Sequence, residues 1–328
     1  MKVLYIYRHP NMGFSIRKVF KPIESEMKKY AEVDSIYLPS DNYSIRGLWM
    51  NIKYAKAKIK EGKYDIIHIT GAEYYLIPFI TRKKTIVTIH DLGFYTNHRN
   101  TLRAILKYPL WIKSIKLARK VTFISDKSYQ EAKQYLNFKN DQCKIIHNPI
   151  GKEFTFYPKE FNEKKPIILQ IGTKPNKNVE NSIRAIKDIP CKLRIIGSVS
   201  KTIESLLKLY QIDYSHVENI TDQEIIEEYK NCDIVNFPSL YEGFGMPIIE
   251  GQSIGRVVIT SDLSPMKEVA GNSAILVNPH DIESIKQGYL KAIKEHEYYI
   301  KLGEKNIKRF NLEDITKQYY QLYKGISQ

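Results

Sequence analysis

Short apolar runs rich in Val, Ile and Tyr recur along the chain, each followed by a longer stretch with apolar positions at helical spacing. In the first half they fall at residues 3–7, 33–38, 66–69, 85–89, 121–124 and 144–146, and the period between them predicts helices over 15–30, 48–60, 102–117 and 126–136. Such alternation builds a parallel sheet with helices on both faces. It lapses at HNPIGKEFTFYPKEFNEKKP, residues 147–166, where three prolines and clustered charge read as a linker. A second series of runs follows at 167–171, 193–196, 234–237, 257–260 and 274–277, and the tail LEDITKQYYQLYKG has the period of a last helix. The expected architecture is α/β, two doubly wound Rossmann-like domains: 1–150, a linker 151–165, then 166–310, with a C-terminal helix in 311–328. Ligands of such folds bind beyond the C-terminal ends of the strands, so chemistry is expected in the cleft between the domains.

A hydrophobic content of 43% with 27% charged residues describes a soluble globular chain. The apolar run in MKVLYIYRHP is too short for a signal-peptide core, and no stretch approaches the roughly 20 apolar residues that span a bilayer. Three scattered cysteines, Cys143, Cys191 and Cys232, form no C-x-x-C pair and suit a reducing compartment. A cytoplasmic protein is expected. The net charge of +15 is unevenly placed: residues 1–150 carry 27 Lys and Arg against 12 Asp and Glu, whereas the remainder balances at 24 against 24. The first half is therefore expected to meet something anionic.

The stretch SLYEGFGMPIIEGQSIG, residues 239–255, places Glu242 and Glu250 on either side of a glycine turn. Residues 233–237 read as a buried strand and 246–253 as a helix with Pro247 in its first turn, where a missing N–H costs nothing. Gly243 and Gly245 would let the backbone turn tightly and aim amides at an anion. Glu250, about a turn into the helix, is then placed for a ribose diol, and Glu242 for whatever the phosphates carry. Two solvated glutamates beside an ordinary turn would look the same in isolation. A dinucleotide fingerprint does not fit, because Ile248 stands where its third glycine belongs.

The neighbouring residues make the motif specific. SLYEGFGMPIIEGQSIGRVVITSDLSPMKEVAGNSAILVNPHDIESI resembles the C-terminal signature of family 4 of the retaining, nucleotide-sugar-dependent glycosyltransferases, which have the GT-B fold. IGTKPNKNVENSIRAI is similar to the family's strand-end loop, with Lys177 at the position of its diphosphate-binding lysine, and TIHDLGFY resembles the His-Asp loop near the reaction centre, giving His90. Thr173 and Asn176 stand where the family often has an arginine, with Lys174 between them, and RHPNMGFS offers only Gly13 where a glycine pair is common.

The resemblance implies two domains facing across a cleft, acceptor-binding then nucleotide-sugar-binding, with the last helix crossing back to the first. It implies a nucleoside-diphosphate sugar donor held by Thr173, Lys177, Gly243, Phe244, Gly245, Met246 and Glu250, with His90 and Glu242 at the reacting sugar and Gly13 in an acceptor or phosphate loop. No metal or other cofactor is implied, since such enzymes work without a DxD motif, and none occurs here. Lys177 and the glycine-turn amides would stabilise charge developing on the leaving diphosphate.

Segments 46–63 and 98–120 interleave Lys and Arg with Trp49, Tyr108, Trp111 and aliphatic residues, as in helices that lie on anionic lipid. The expected function is glycosyl transfer to a glycan or lipid-linked saccharide in surface polysaccharide synthesis. Alternatives are a GT-B nucleotide-sugar epimerase or phosphorylase, and an inactive donor-binding protein. Nucleic-acid binding explains neither the paired glutamates nor the neutral second half, and no such motif stands out.

Overall fold

The computed structural model describes residues 1–93 and 108–327; of the expected helix over 102–117 and the basic segment 98–120, residues 98–107 lie outside the described residues. The chain forms two compact units, Met1–Pro149 with Leu312–Gln328, and Ile150–Asn311. Among the described residues no helix is long and apolar enough to cross a membrane.

The first unit is built on a parallel sheet of β1 (Lys2–Tyr7), β2 (Glu32–Tyr37), β3 (Ile66–Ile69), β4 (Thr85–Ile89), β5 (Lys120–Phe123) and β6 (Cys143–Ile145). Their order across the sheet is β2-β1-β3-β4-β5-β6, which reverses direction between β1 and β3. The inner strands β1, β3 and β4 are buried almost throughout, as parallel strands covered on both faces must be, whereas the edge strand β2 (EVDSIY) carries polar residues. Its helices are α1 (Phe14–Met27), α2 (Ile45–Gly62), α3 (Asp126–Lys133) and, from the end of the chain, α11 (Leu312–Ser327). Residues 108–117 depart from the regular helix that their period predicts: a π turn, Tyr108–Ile112, leads into a 3-10 turn, Lys113–Leu117.

Helix α11 packs on α1 and sends Tyr319 and Tyr323 into the first unit's core. There the Tyr323 hydroxyl lies 2.6 Å from Nδ1 of buried His68 and 3.1 Å from the Tyr5 hydroxyl. Nε2 of His68 continues the chain to Thr88 Oγ1 at 2.8 Å, and Thr88 to Thr122 at 2.7 Å. Every group buried here has a partner, which is the condition for a polar network inside a core.

The second unit repeats the plan with β7 (Ile167–Ile171), α4 (Val179–Ile186), β8 (Lys192–Ile196), α5 (Lys201–Leu209), β9 (Asp213–Val217), α6 (Asp222–Asn231) and β10 (Ile234–Phe237). Helix α7 (Met246–Ile254), β11 (Val257–Ser261), α8 (Met266–Ala270), β12 (Ile275–Val277), α9 (Ile282–Lys294) and α10 (His296–Asn306) complete it. The order β12-β11-β10-β7-β8-β9 puts the reversal between β10 and β7. β9 (DYSHV) escaped the sequence reading because it is a polar edge strand without an apolar run. Residues 150–165, read as a linker, lie packed on this unit: Ser253 Oγ donates to the Phe154 carbonyl at 2.6 Å, the Arg256 guanidinium to that of Tyr157 at 3.0 Å, and Lys159 pairs with buried Asp233.

Candidate functional site

At the reversal point of the second sheet, the loops leaving β7 and β10 meet. Gly172 turns with φ +80°, and a Cβ there would lie 3.3 Å from Cε of Lys177, so the glycine leaves room for the lysine stem to fold back. Nζ of Lys177 sits 2.6 Å from Glu242 Oε1 and 4.7 Å from the centre of the Phe237 ring. Asn176 binds the loops together, its amide donating to the Tyr241 carbonyl at 3.0 Å and to Glu242 at 3.3 Å while its carbonyl accepts from Leu240 N. Asn178 adds a third loop by donating to the carbonyls of Pro238 and Pro279.

The chain enters α7 through Gly245 at φ +113°. Pro247 has no N–H and that of Ile248 is engaged by the Gly245 carbonyl, so neither offers an amide to an anion at the start of α7. The Phe244 side chain is buried edge-on against Phe310, and only its backbone can serve a ligand. Thr173 lies beside Gly197 (φ +136°), where a Cβ would come within 3.1 Å of its hydroxyl.

Glu250, in the second turn of α7, accepts a 2.5 Å hydrogen bond from the hydroxyl of Tyr229 on α6. Burial, followed by the Glu250 carboxylate, pushes the Tyr229 phenol well above its ordinary range, so it stays a donor. Tyr229 is one residue the sequence reading missed. Its only signal was its place one helix before the signature.

The first unit has its own constellation at the strand ends around the β1–β3 reversal. Arg8, just past β1, donates from Nε to buried Glu73 at 2.8 Å and from its outer nitrogen to the Tyr43 hydroxyl, which itself donates to Glu73 at 3.1 Å. Burial, then Glu73, raises the Tyr43 phenol to about 12. Gly13 caps α1 with φ +65°, and a Cβ there would stand 2.9 Å from Arg8 Cδ. The glycine thus makes room for the Arg8 stem.

His90, beyond β4, is 2.9 Å from the Thr70 carbonyl through Nε2. A carbonyl only accepts, so Nε2 carries the proton and Nδ1 is left as an acceptor. Burial holds the imidazole below its ordinary value, against the opposing pull of the Thr70 bond and Asp91. Arg8, Tyr43, Tyr74, His90, Asp91 and Trp111 line a cavity of about 230 Å³. The structure thus groups Thr173, Lys177, Glu242, the 243–246 turn and Glu250 in one unit, and His90 and Gly13 in the other.

A family model described as Glycosyltransferase Family 4 matches residues 17–154, and one described as Glycosyl transferases group 1 matches 151–309. The serotype-specific mannosyltransferase WbdA of Escherichia coli is 24% identical over 251 residues, 69% of this chain but 29% of that protein, so the chain spans under a third of its length. The O-antigen chain mannosyltransferase B of Escherichia coli is 24% identical over 81% of this chain and 76% of its own. Among solved structures, the sucrose-phosphate synthase of Thermosynechococcus elongatus superposes with a TM-score of 0.78 at 19% identity, covering 99% of this chain and 98% of that one. HepE of Anabaena in complex with UDP and glucose follows at 0.76 and 14%, covering 99% and 100%. These likenesses are of fold, and the fold is that of the GT-B glycosyltransferases. With the two family models accounting for nearly the whole chain, it belongs to the family 4 glycosyltransferases, its second half being the group 1 domain.

Proposed function

We propose that this chain transfers a sugar, with retention at the anomeric carbon, from a nucleoside-diphosphate sugar to a glycan or lipid-linked saccharide in surface polysaccharide synthesis. The observation that carries the reading is the second unit's strand-end cluster, where Lys177 and Glu242 stand together at the glycine turn that opens α7 and Tyr229 holds Glu250 in its second turn. In this assignment Glu250 accepts from the ribose hydroxyls, while Lys177, the Thr173 hydroxyl and the amides of 243–246 take the diphosphate. These donors are fixed before the reaction and meet charge that grows as the diphosphate leaves, which is where preorganised donors lower a barrier most. No metal is assigned a part.

Glu242 orients the transferred sugar, and the Nδ1 lone pair of His90 accepts from a sugar hydroxyl. The first-unit cavity suits an acceptor sugar ring: Glu73 offsets the Arg8 charge, and Tyr43, Tyr74 and Trp111 supply apolar surface. Relatives named as O-antigen mannosyltransferases support a glycan acceptor, and the HepE complexes with UDP and glucose support a nucleotide-sugar donor.

The test is a thermal-shift panel of UDP, GDP, ADP, CDP and TDP sugars on the native protein and on Glu250→Ala. One nucleotide class should raise the midpoint and lose its effect in the variant. No shift from any class overturns the donor assignment, and rapid turnover of donor alone would replace transfer by epimerisation.

A further inference from the structure

Parallel strands buried on both faces read as near-continuous apolar runs, yet β7 and β10 each carry a buried amide, Gln170 and Asn236, which stand opposite one another in the register. The Asn236 side chain is the branch point of a hydrogen-bonded fork. Its Oδ1 accepts from the Tyr289 hydroxyl of α9 at 2.7 Å, and its amide nitrogen donates both to Gln170 Oε1 at 2.6 Å and to Ser182 Oγ of α4 at 3.0 Å. One arm then ends on the Gly172 carbonyl, to which Gln170 Nε2 donates at 3.0 Å, and the other on the Asn178 carbonyl, to which Ser182 Oγ donates at 3.2 Å.

Those two carbonyls bracket residues 173–177, the loop that carries Thr173 and Lys177. Both belong to residues with left-handed backbone, Gly172 at φ +80° and Asn178 at φ +58°, so the loop is entered and left through sharp turns. A buried amide costs free energy unless its groups are paired, and two leucines would suit the strands better. Leucines, however, cannot grip a carbonyl. Ser182 has a single hydroxyl hydrogen and spends it on Asn178, while Gln170, whose Oε1 is taken by Asn236, reaches the loop as a donor.

We propose that Gln170, Ser182, Asn236 and Tyr289 are positioning residues for the leaving diphosphate, fixing both ends of the loop so that Thr173 and Lys177 stand where its charge develops. This role rests on the assignment of Thr173 and Lys177 to the diphosphate, and adds the buried side chains that hold them. A donor that must reorient as charge develops loses part of its effect, and a loop pinned at both ends removes that cost. Glu250 is held separately, by Tyr229 of α6, so the fork acts on the phosphates and not on the nucleoside.

The test uses the full chain with whichever of UDP, GDP, ADP, CDP and TDP it binds most tightly, and the matching nucleoside as reference. Gln170→Met, Tyr289→Phe and Ser182→Val should each weaken the diphosphate about tenfold in calorimetry and leave the nucleoside within about twofold. Ser182→Thr, which has the shape of the valine and keeps the hydroxyl, should restore the native ratio. Ile285→Val, a truncation of a buried side chain on the same helix as Tyr289 that takes no part in the fork, should lower the thermal midpoint and leave the ratio alone. Equal weakening of both ligands, an undiminished preference for the diphosphate in the three fork variants, a threonine variant as weak as the valine, or the same loss in Ile285→Val would overturn the proposal while the diphosphate assignment stands. A native protein that binds no diphosphate better than its nucleoside would overturn that assignment and the proposal with it.

Discussion

His68 gives the first unit a pH dependence whose sign and size can be worked out. Its imidazole is fully buried between Tyr323 and Thr88, and burial, with a smaller push from His90, drives its pKa down to about 3. In the unfolded chain the value is about 6.5. Between those values the unfolded state binds the proton and the folded state does not, so stability rises with pH across the window and falls on acidification. At about pH 8 neither state is protonated and His68 contributes nothing to the slope. At about pH 5 the unfolded state gains RT ln(1 + 10^1.5), a loss of about 2 kcal/mol of stability that hardly depends on how far below pH 4 the folded value lies.

Both tryptophans, Trp49 and Trp111, belong to the first unit, so emission in a urea titration reports that unit alone. Moving from about pH 8 to about pH 5 should shift the native midpoint down by about 1 M urea more than that of His68→Gln, given a slope near 2 kcal/mol/M. Gln keeps hydrogen-bonding capacity but cannot titrate. The comparison removes the similar influence of depressed His90 and of the carboxylates. Equal shifts in the two proteins would refute the account of His68 as a buried neutral base.

Tyr229→Phe removes the hydroxyl that holds Glu250, with the ring left in place against Phe154. It should raise KM for ribonucleotide donors about tenfold, the worth of one hydrogen bond to a charged group, with little change in kcat. A donor lacking the ribose hydroxyls should not register the substitution, and steady-state kinetics on the two donors decide the matter. Glu242→Gln should tighten binding of the free nucleoside diphosphate several-fold, because the largely buried carboxylate no longer competes for Lys177. Turnover should fall in the same variant, and weaker diphosphate binding in calorimetry would contradict the assignment.

Much of the fold was legible because parallel strands buried on both faces must be continuous apolar runs, and β3, β4, β7 and β10 fall where those runs lie. β9 was not, since an edge strand needs no such run. The packing of the 147–166 stretch was not legible in its prolines and charge: what ties it down is Arg256 and Asp233, side chains far along the sequence whose pairing no local pattern carries. In the candidate site, Glu242, Gly245 and Glu250 stood out by their spacing about a glycine turn, and Lys177 through the family resemblance alone; the structure brings Lys177 against Glu242. Tyr229, Tyr43 and Glu73 were not, because each acts through a partner brought near only by folding. Gly13 was noticed as part of a ligand loop, and its geometry adds a structural reason for a glycine there: the Arg8 stem occupies the space a Cβ would need.

The pairing of Lys177 with Glu242 bears on how the donor enters. Both side chains are largely withdrawn from water, 19% and 16% exposed, so either charge left alone would be costly. Together they hold the glycine turn ready, and Asn176 fixes the carboxylate from a second direction. A diphosphate carries more negative charge than the carboxylate it meets and finds amides beside the lysine, so it can take Lys177 over without leaving that cation unpaired at any stage. In the proposed assignment Glu242 would then lose its counter-charge next to the bound sugar. A carboxylate in that position accepts hydrogen bonds from sugar hydroxyls more strongly than one still neutralised by lysine, and it favours positive character at the neighbouring carbon. On the proposed assignment such an exchange would couple occupancy by the donor to the electrostatics that its departure requires, using two residues already in contact.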